Sequence, residues 1–213
     1  MRRRTLRWLL VFPLLCLTPE SQAGDEGLAP VNEGLAAVKS LAEQLAPQVV
    51  AWRRELHAHP ELSNREQRTA QTVAEILREI GITDVRTGVA RHGVVALIHG
   101  NRATPVIALR ADMDALPVQE ATGLPFASQN PGVMHACGHD AHTSMLLGTA
   151  KVLFQLRESL PGSVKLIFQP AEEGTPPGEE GGAALMIKQG VLREPEVGAI
   201  FGLHVAPDLP TGH

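Results

Sequence analysis

Short apolar runs that stop abruptly at carboxylates and imidazoles constrain this chain more than any other feature. Val94 to His99, Pro105 to Arg110, Ser163 to Phe168 and Ala199 to His204 read as strands. Helical stripes separate them. One runs from His142 to about Gln155 with Met145, Leu146, Ala150 and Leu153 at helical spacing, and another lies near Ala183 to Lys188. Ahead of the strands, Leu35, Val38, Leu41, Leu45, Val49, Trp52 and Leu56 step by three or four from Asn32 to about His57. This predicts a long helix, continuous or broken near Pro47. Ser63-Asn64-Arg65-Glu66 then has the form of a capping box. It precedes a stripe of Val73, Ile76, Leu77 and Ile80 that Gly81 closes. Strands alternating with helices predict a layered α/β domain, and 213 residues with 44% apolar content suffice for its core.

The opening segment reads as a targeting signal rather than as fold. Arg2, Arg3, Arg4 and Arg7 form a basic start, Trp8 to Leu17 an apolar run, and Ser21-Gln22-Ala23 the small residues of a cleavage site. The expectation is a signal peptide over residues 1–23, a flexible segment over 24–31, and a catalytic-domain portion over 32–213. The apolar run is too short for a permanent span, and Leu15 before Cys16 disfavours a lipid anchor. An exported protein, periplasmic or secreted and without a stable membrane anchor, follows. Cys137 is then the one cysteine of the mature chain. It is either a buried apolar filler or a reactive or metal-binding thiolate.

Composition excludes several partners. A net charge of -4 with no basic stripe argues against nucleic acid, and 3% aromatic residues without any Tyr leave no stacking platform. Polar side chains must carry the chemistry. The strand from Val106 runs into Ala111-Asp112-Met113-Asp114, which places two carboxylates at a strand's carboxyl end, where open α/β sheets bind ligands. Met134 to His142 packs Cys137, His135, His139, His142 and Asp140 into one stretch before a helix. A thiol and an imidazole on one turn suit zinc and related divalent metals. Adjacent Glu172 and Glu173 follow a buried strand, where unpaired carboxylates are costly without a cation. His204 at a strand end is ambiguous taken alone. Glu179 and Glu180, in a Gly-Pro loop, read as solvated charge, and His92 and His99 as surface residues. No nucleophile elbow, phosphate loop or dinucleotide fingerprint is present. Cys137 paired with His139 or His204 as a cysteine-protease nucleophile stays open as an alternative.

Five blocks occurring in order carry a resemblance: Arg54 to Leu62, Leu109 to Pro117, Met134 to His142, Phe168 to Gly174, and Gly202 to Val205. Together they resemble the M20 metallopeptidase family, in its branch of amidohydrolases acting on hippurate and other N-acyl amino acids. The resemblance implies a three-layer, zinc-peptidase-like catalytic domain and a site for two divalent ions, zinc or manganese. Cys137, His139, Glu173 and His204 fall on ligand positions and Glu172 on the general base. Asp114, with Asp112, falls on the acidic strand-end motif that orients a metal-bound imidazole. The implied partner is a small-molecule N-acyl amino acid, and the full-length relatives are expected to be homo-oligomers. An aminopeptidase or dipeptidase of the same family is the rival enzyme, and a metal-binding remnant without activity the rival non-enzyme. Relatives of this kind continue past Pro210-Thr211-Gly212-His213 into a lid or dimerisation domain and a further histidine ligand. The expectation is therefore an incomplete domain, lacking the lid, with impaired activity.

Overall fold

The computed structural model of the protein describes residues 29–206 and Leu209. The expected signal peptide, residues 24–28 of the expected flexible segment and the Pro210 to His213 tail lie outside the described residues, while 29–31 belong to a helix. The chain divides into two units between Ala37 and Val38, and the described part of the first is the opening of helix α1 (Ala29–Ala58). Helix α1 runs through Pro47 without a break. Within the second unit, its half-buried positions Leu41, Leu45, Val49, Trp52 and buried Leu56 repeat at three or four, as the sequence pattern requires.

Helix α2 (Gln67–Ile80) buries Val73, Ala74, Ile76 and Leu77 and ends at Gly81 in the left-handed conformation. Strands β1 (Val85–Val89) and β2 (Gly93–Ile98) form a hairpin, and β3 (Val106–Asp112) leads into helix α3 (His139–Gln155). Strand β4 (Ser163–Gln169), helix α4 (Gly182–Lys188) and strand β5 (Ala199–Gly202) complete the order, with a short 3-10 turn at Arg157–Ser159. The sheet runs β1-β2-β4-β3-β5. Strand β4 pairs antiparallel with β2 and parallel with β3, while β5 pairs parallel with β3 at the edge.

Central β4 is buried at every position, as a strand covered on both faces must be. Val164, Leu166 and Phe168 face one core with Val94, Ala96, Leu77 and Leu147, and so bind α2 and α3 to that side. Ile167 faces a second core with Val95, Ala108 and Met186 of α4. Helices thus cover both faces, which is the three-layer arrangement. Lys165 belongs to the second face. Its ammonium is buried and donates to the carbonyls of Val191 at 2.6 Å and Pro195 at 2.8 Å, so the charge takes up two loop acceptors instead of lying unpaired.

Two local expectations differ from the structure. The hairpin strand β1 has no counterpart among the sequence-read strands, because its middle residues Arg86, Thr87 and Gly88 are exposed and polar at a sheet edge. The capping box at Ser63 to Glu66 does not form. Helix α2 starts after Glu66 and has no side-chain cap, since both side chains turn to tertiary partners instead.

Candidate metal centre

Parallel strands β3 and β4 end side by side, with Asp112 opposite Gln169. The chain leaves β3 toward Asp114 and leaves β4 toward Glu172 and Glu173, so their carboxylates come from neighbouring strand ends. The N-terminus of α3 meets them there. Gly138 makes that approach possible. Its φ of +87° is left-handed, and a Cβ would lie 2.3 Å from Val205 Cγ2, so glycine lets Cys137 and His139 share the turn without strain and without displacing Val205.

His139 is the hub. It is 1% exposed, and neither ring nitrogen makes an aligned hydrogen bond. Nδ1 lies 3.3 Å from Asp114 Oδ1. Nε2 lies 3.6 Å from Glu172 Oε2 and 3.7 Å from Glu173 Oε1. Donor atoms of Cys137, His139 and Glu173 all fall within 4.8 Å of one another. Burial raises the Cys137 thiol to about 11, and the carboxylates of Glu173, Glu172 and Asp112 push the same way. A thiol and an imidazole from the start of α3 meeting a carboxylate from the segment after β4, with the imidazole otherwise unsatisfied, fit a divalent ion of the zinc type.

Asp112, His139 and His142 form a second close group, but Asp112 and His142 are already engaged. His142 Nε2 accepts the N–H of Val205 at 2.9 Å, which leaves the proton on Nδ1 to be donated to Asp112 Oδ1 at 2.6 Å. Asp112 Oδ2 takes Arg110 Nη1 at 2.6 Å. Burial opposes ionisation of Asp112, yet the His142 hydrogen bond and nearby positive charge hold its carboxyl below the usual range. Asp114 is likewise pushed up by burial and more than compensated by His139, by Ser63 Oγ–H at 2.7 Å and by the Glu173 N–H at 3.0 Å, so its carboxyl sits at about 2. Both are anchors for neighbouring imidazoles and backbone.

The residues singled out in the sequence are therefore gathered unequally. Cys137, His139, Glu173, Glu172 and Asp114 converge. His204 is exposed, with its ring centroid 5.0 Å from that of His142, and belongs to neither close group. Glu180 is exposed beside Lys188, but Glu179 departs from the reading as solvated charge. Arg65 grips it at 2.7 and 3.1 Å and Asn64 donates to it at 3.0 Å, which holds its carboxyl at about 2. Sequence reasoning assigned no site role to His142 or His57 and read Ser63 only as a helix cap. His57 and Arg53 both reach Asp140 Oδ2 at 2.9 Å, and so tie α1 to the first turn of α3. Its place in the same short block as His139 was the one signal for His142. For Ser63, whose partner is 51 positions away, there was none.

Residues 108–213 match Peptidase family M20/M25/M40. The chain belongs to this family. Among M20 relatives, an N-acyl-L-amino acid amidohydrolase from Geobacillus stearothermophilus is 47% identical over 175 residues, covering 82% of this chain and 45% of that protein. An N-acetylcysteine deacetylase from Bacillus subtilis (strain 168) is 49% identical over 164 residues, covering 77% of this chain and 41% of that protein. The crystal structure of a dinuclear metal-binding M20 peptidase from Bacillus subtilis superposes with a TM-score of 0.71 at 46% identity, over 81% of this chain and 45% of that one. The chain spans less than half the length of these M20 relatives.

Proposed function

We propose that the protein takes part in metal-dependent hydrolysis of the amide bond of N-acyl amino acids, with hippurate-like compounds as the substrate class. The observation that carries the reading is His139, buried with both ring nitrogens unsatisfied between Asp114 on one side and Glu172 and Glu173 on the other. The amidohydrolase and deacetylase relatives support the bond class, and the dinuclear relative supports a site for two metal ions, for which we propose divalent zinc or manganese. Cys137, His139, Glu173 and His204 are the residues proposed to hold them. Bound ions supply an acidified water and an electrophile for the scissile carbonyl.

The chain's own residues perform the proton work. Glu172 takes a proton from the attacking water on its carboxylate, and the water oxygen adds to the acyl carbon. The same carboxyl group returns that proton to the amide nitrogen as the C–N bond breaks, which leaves a carboxylic acid and a free amino acid. Asp114 keeps the His139 ring turned so that Nε2 faces the Glu172 and Glu173 carboxylates. We further propose that the mature protein acts outside the cytoplasm, a reading supported by the basic start, apolar run and small-residue site of residues 1–23.

The test is hydrolysis of benzoyl-glycine and of a free dipeptide by the purified protein, before and after chelation and with zinc or manganese restored. The amidohydrolase reading expects benzoyl-glycine to be cut, the rate to vanish on chelation and to return with metal. Preference for the dipeptide would assign the protein to the peptidase branch. Metal uptake without hydrolysis of either would leave only a binding role.

A further inference from the structure

Glu66 is a carboxylate with no exposed surface, at a position where a helix-capping role fails to account for it. Its Oε1 accepts the backbone N–H of Ala171 at 2.7 Å, across 105 positions of sequence, and its Oε2 has no partner. A buried acidic side chain is retained in a core only where something needs it. Ala171 is the residue that does.

Strand β4 ends at Gln169, and the next three residues must turn the chain so that Glu172 and Glu173 reach His139. The turn hinges on Ala171, whose φ of 48° is left-handed although it carries a Cβ. Such a conformation persists only when its surroundings hold it. Ahead of the twin glutamates Glu66 holds the Ala171 N–H, and between them Asp114 Oδ2 holds the Glu173 N–H at 3.0 Å. Glu66 itself is fixed where α2 begins, between Arg65, which grips Glu179, and the buried Thr69.

We propose that Glu66 is a positioning residue for Glu172 and Glu173, locking the Ala171 turn that aims both carboxylates at His139. This rests on the reading of Glu172 as proton carrier and Glu173 as metal ligand. The function required of Glu66 is that of an acceptor at a set distance, not of a charge. Burial, which pushes its carboxyl up to about 7, agrees with a side chain that is in large part neutral near neutrality. Glutamine should therefore replace it and aspartate should not.

The experiment is titration of the metal-free protein with cobalt(II) alone, followed by the thiolate-to-cobalt absorption and by d–d bands that report ligand geometry. Glu66→Gln keeps a carbonyl acceptor in place and is expected to bind cobalt within about threefold of wild type, with the same spectrum. Glu66→Asp withdraws the acceptor by one methylene and is expected to weaken binding roughly 10- to 100-fold and to shift the bands, the range found when groups that orient ligands are lost. Equal losses in both variants, or none in Glu66→Asp, overturn the proposal. Should Glu66→Asp not fold, hydrogen exchange of the Ala171 amide in the wild-type protein decides. Protection matching that of β4 supports the lock, and rapid exchange overturns it. Wild-type protein that takes up no cobalt would sink the metal reading instead, and the Ala171 exchange would still judge Glu66 by itself.

Discussion

Asp114 Oδ1 lies 3.3 Å from His139 Nδ1, and the opposite nitrogen of the same ring faces Glu172 and Glu173. One buried imidazole thus stands between a carboxylate held at about 2 and a pair of more accessible ones. Asp114 also accepts from Ser63 and from the Glu173 backbone, so it sets the ring and the facing loop together. Asp114→Asn keeps an acceptor but removes the charge that polarises the ring. Metal affinity is expected to drop roughly 10- to 100-fold, with the melting temperature changed less than the affinity. Isothermal titration with zinc beside a thermal melt checks this, and an unchanged affinity would remove Asp114 from the site.

Glu172 Oε2 approaches His139 Nε2 at 3.6 Å while remaining 38% exposed, so it can reach both the metal ligands and a substrate. Glu172→Gln should lower kcat by roughly 100- to 10,000-fold and leave the bound metal content unchanged. Turnover assays paired with elemental analysis of the same sample test it. Wild-type turnover in the variant would show that another group moves the proton.

Gly138 is the narrow point of the site. Gly138→Ala would place a Cβ 2.3 Å from Val205 Cγ2 in a backbone with φ of +87°. The expected cost is about 1–2 kcal/mol from the left-handed conformation, more if Val205 cannot shift. The variant should also bind metal more weakly, because Cys137 and His139 flank the strained residue. Urea unfolding curves measure the first effect and cobalt titration the second.

The carboxyl of Glu66 gives stability a defined pH slope. Burial raises it from 4.5 to about 7 against hydrogen bonds from the backbone, with the Asp114 charge adding to the rise. Between these values the folded protein retains a proton that the unfolded chain has released, so stability falls as pH increases across that window. The full effect, on the order of 3 kcal/mol for a shift of this size, stands above about pH 7. Glu66→Gln removes the ionisation, and should be more stable than wild type at pH 8 with no such gain at pH 4.5. Parallel denaturation curves at the two values check the sign, and a wild type that grows more stable through the window would contradict it.

Much of the architecture was legible along the chain because apolar periodicity is a local signal. The stripe at Val73, Ile76, Leu77 and Ile80 is an α2 face whatever it packs against, and the run Val164 to Phe168 of β4, apolar except at Lys165, read as a strand of the sheet core. Pro47 was less decisive, since the helix accommodates it without interruption. The exposed middle of β1 carried no apolar signal at all. Glu179 looked like loop charge because Arg65, its partner, lies 114 positions away.

By itself the sequence determined the set of chemical groups available: the Cys137 thiol, a dense block of imidazoles, and carboxylates placed at strand ends. Only the tertiary structure decided which of them meet. It brought Cys137, His139 and Glu173 together, left His204 exposed beside His142, and turned Ser63 and Glu66 from a local cap into holds on Asp114 and Ala171. The physical reason is range. Helical and strand preferences act over a few residues, whereas a buried polar group is satisfied by whatever the packed sheet order β1-β2-β4-β3-β5 sets beside it, however distant in the chain.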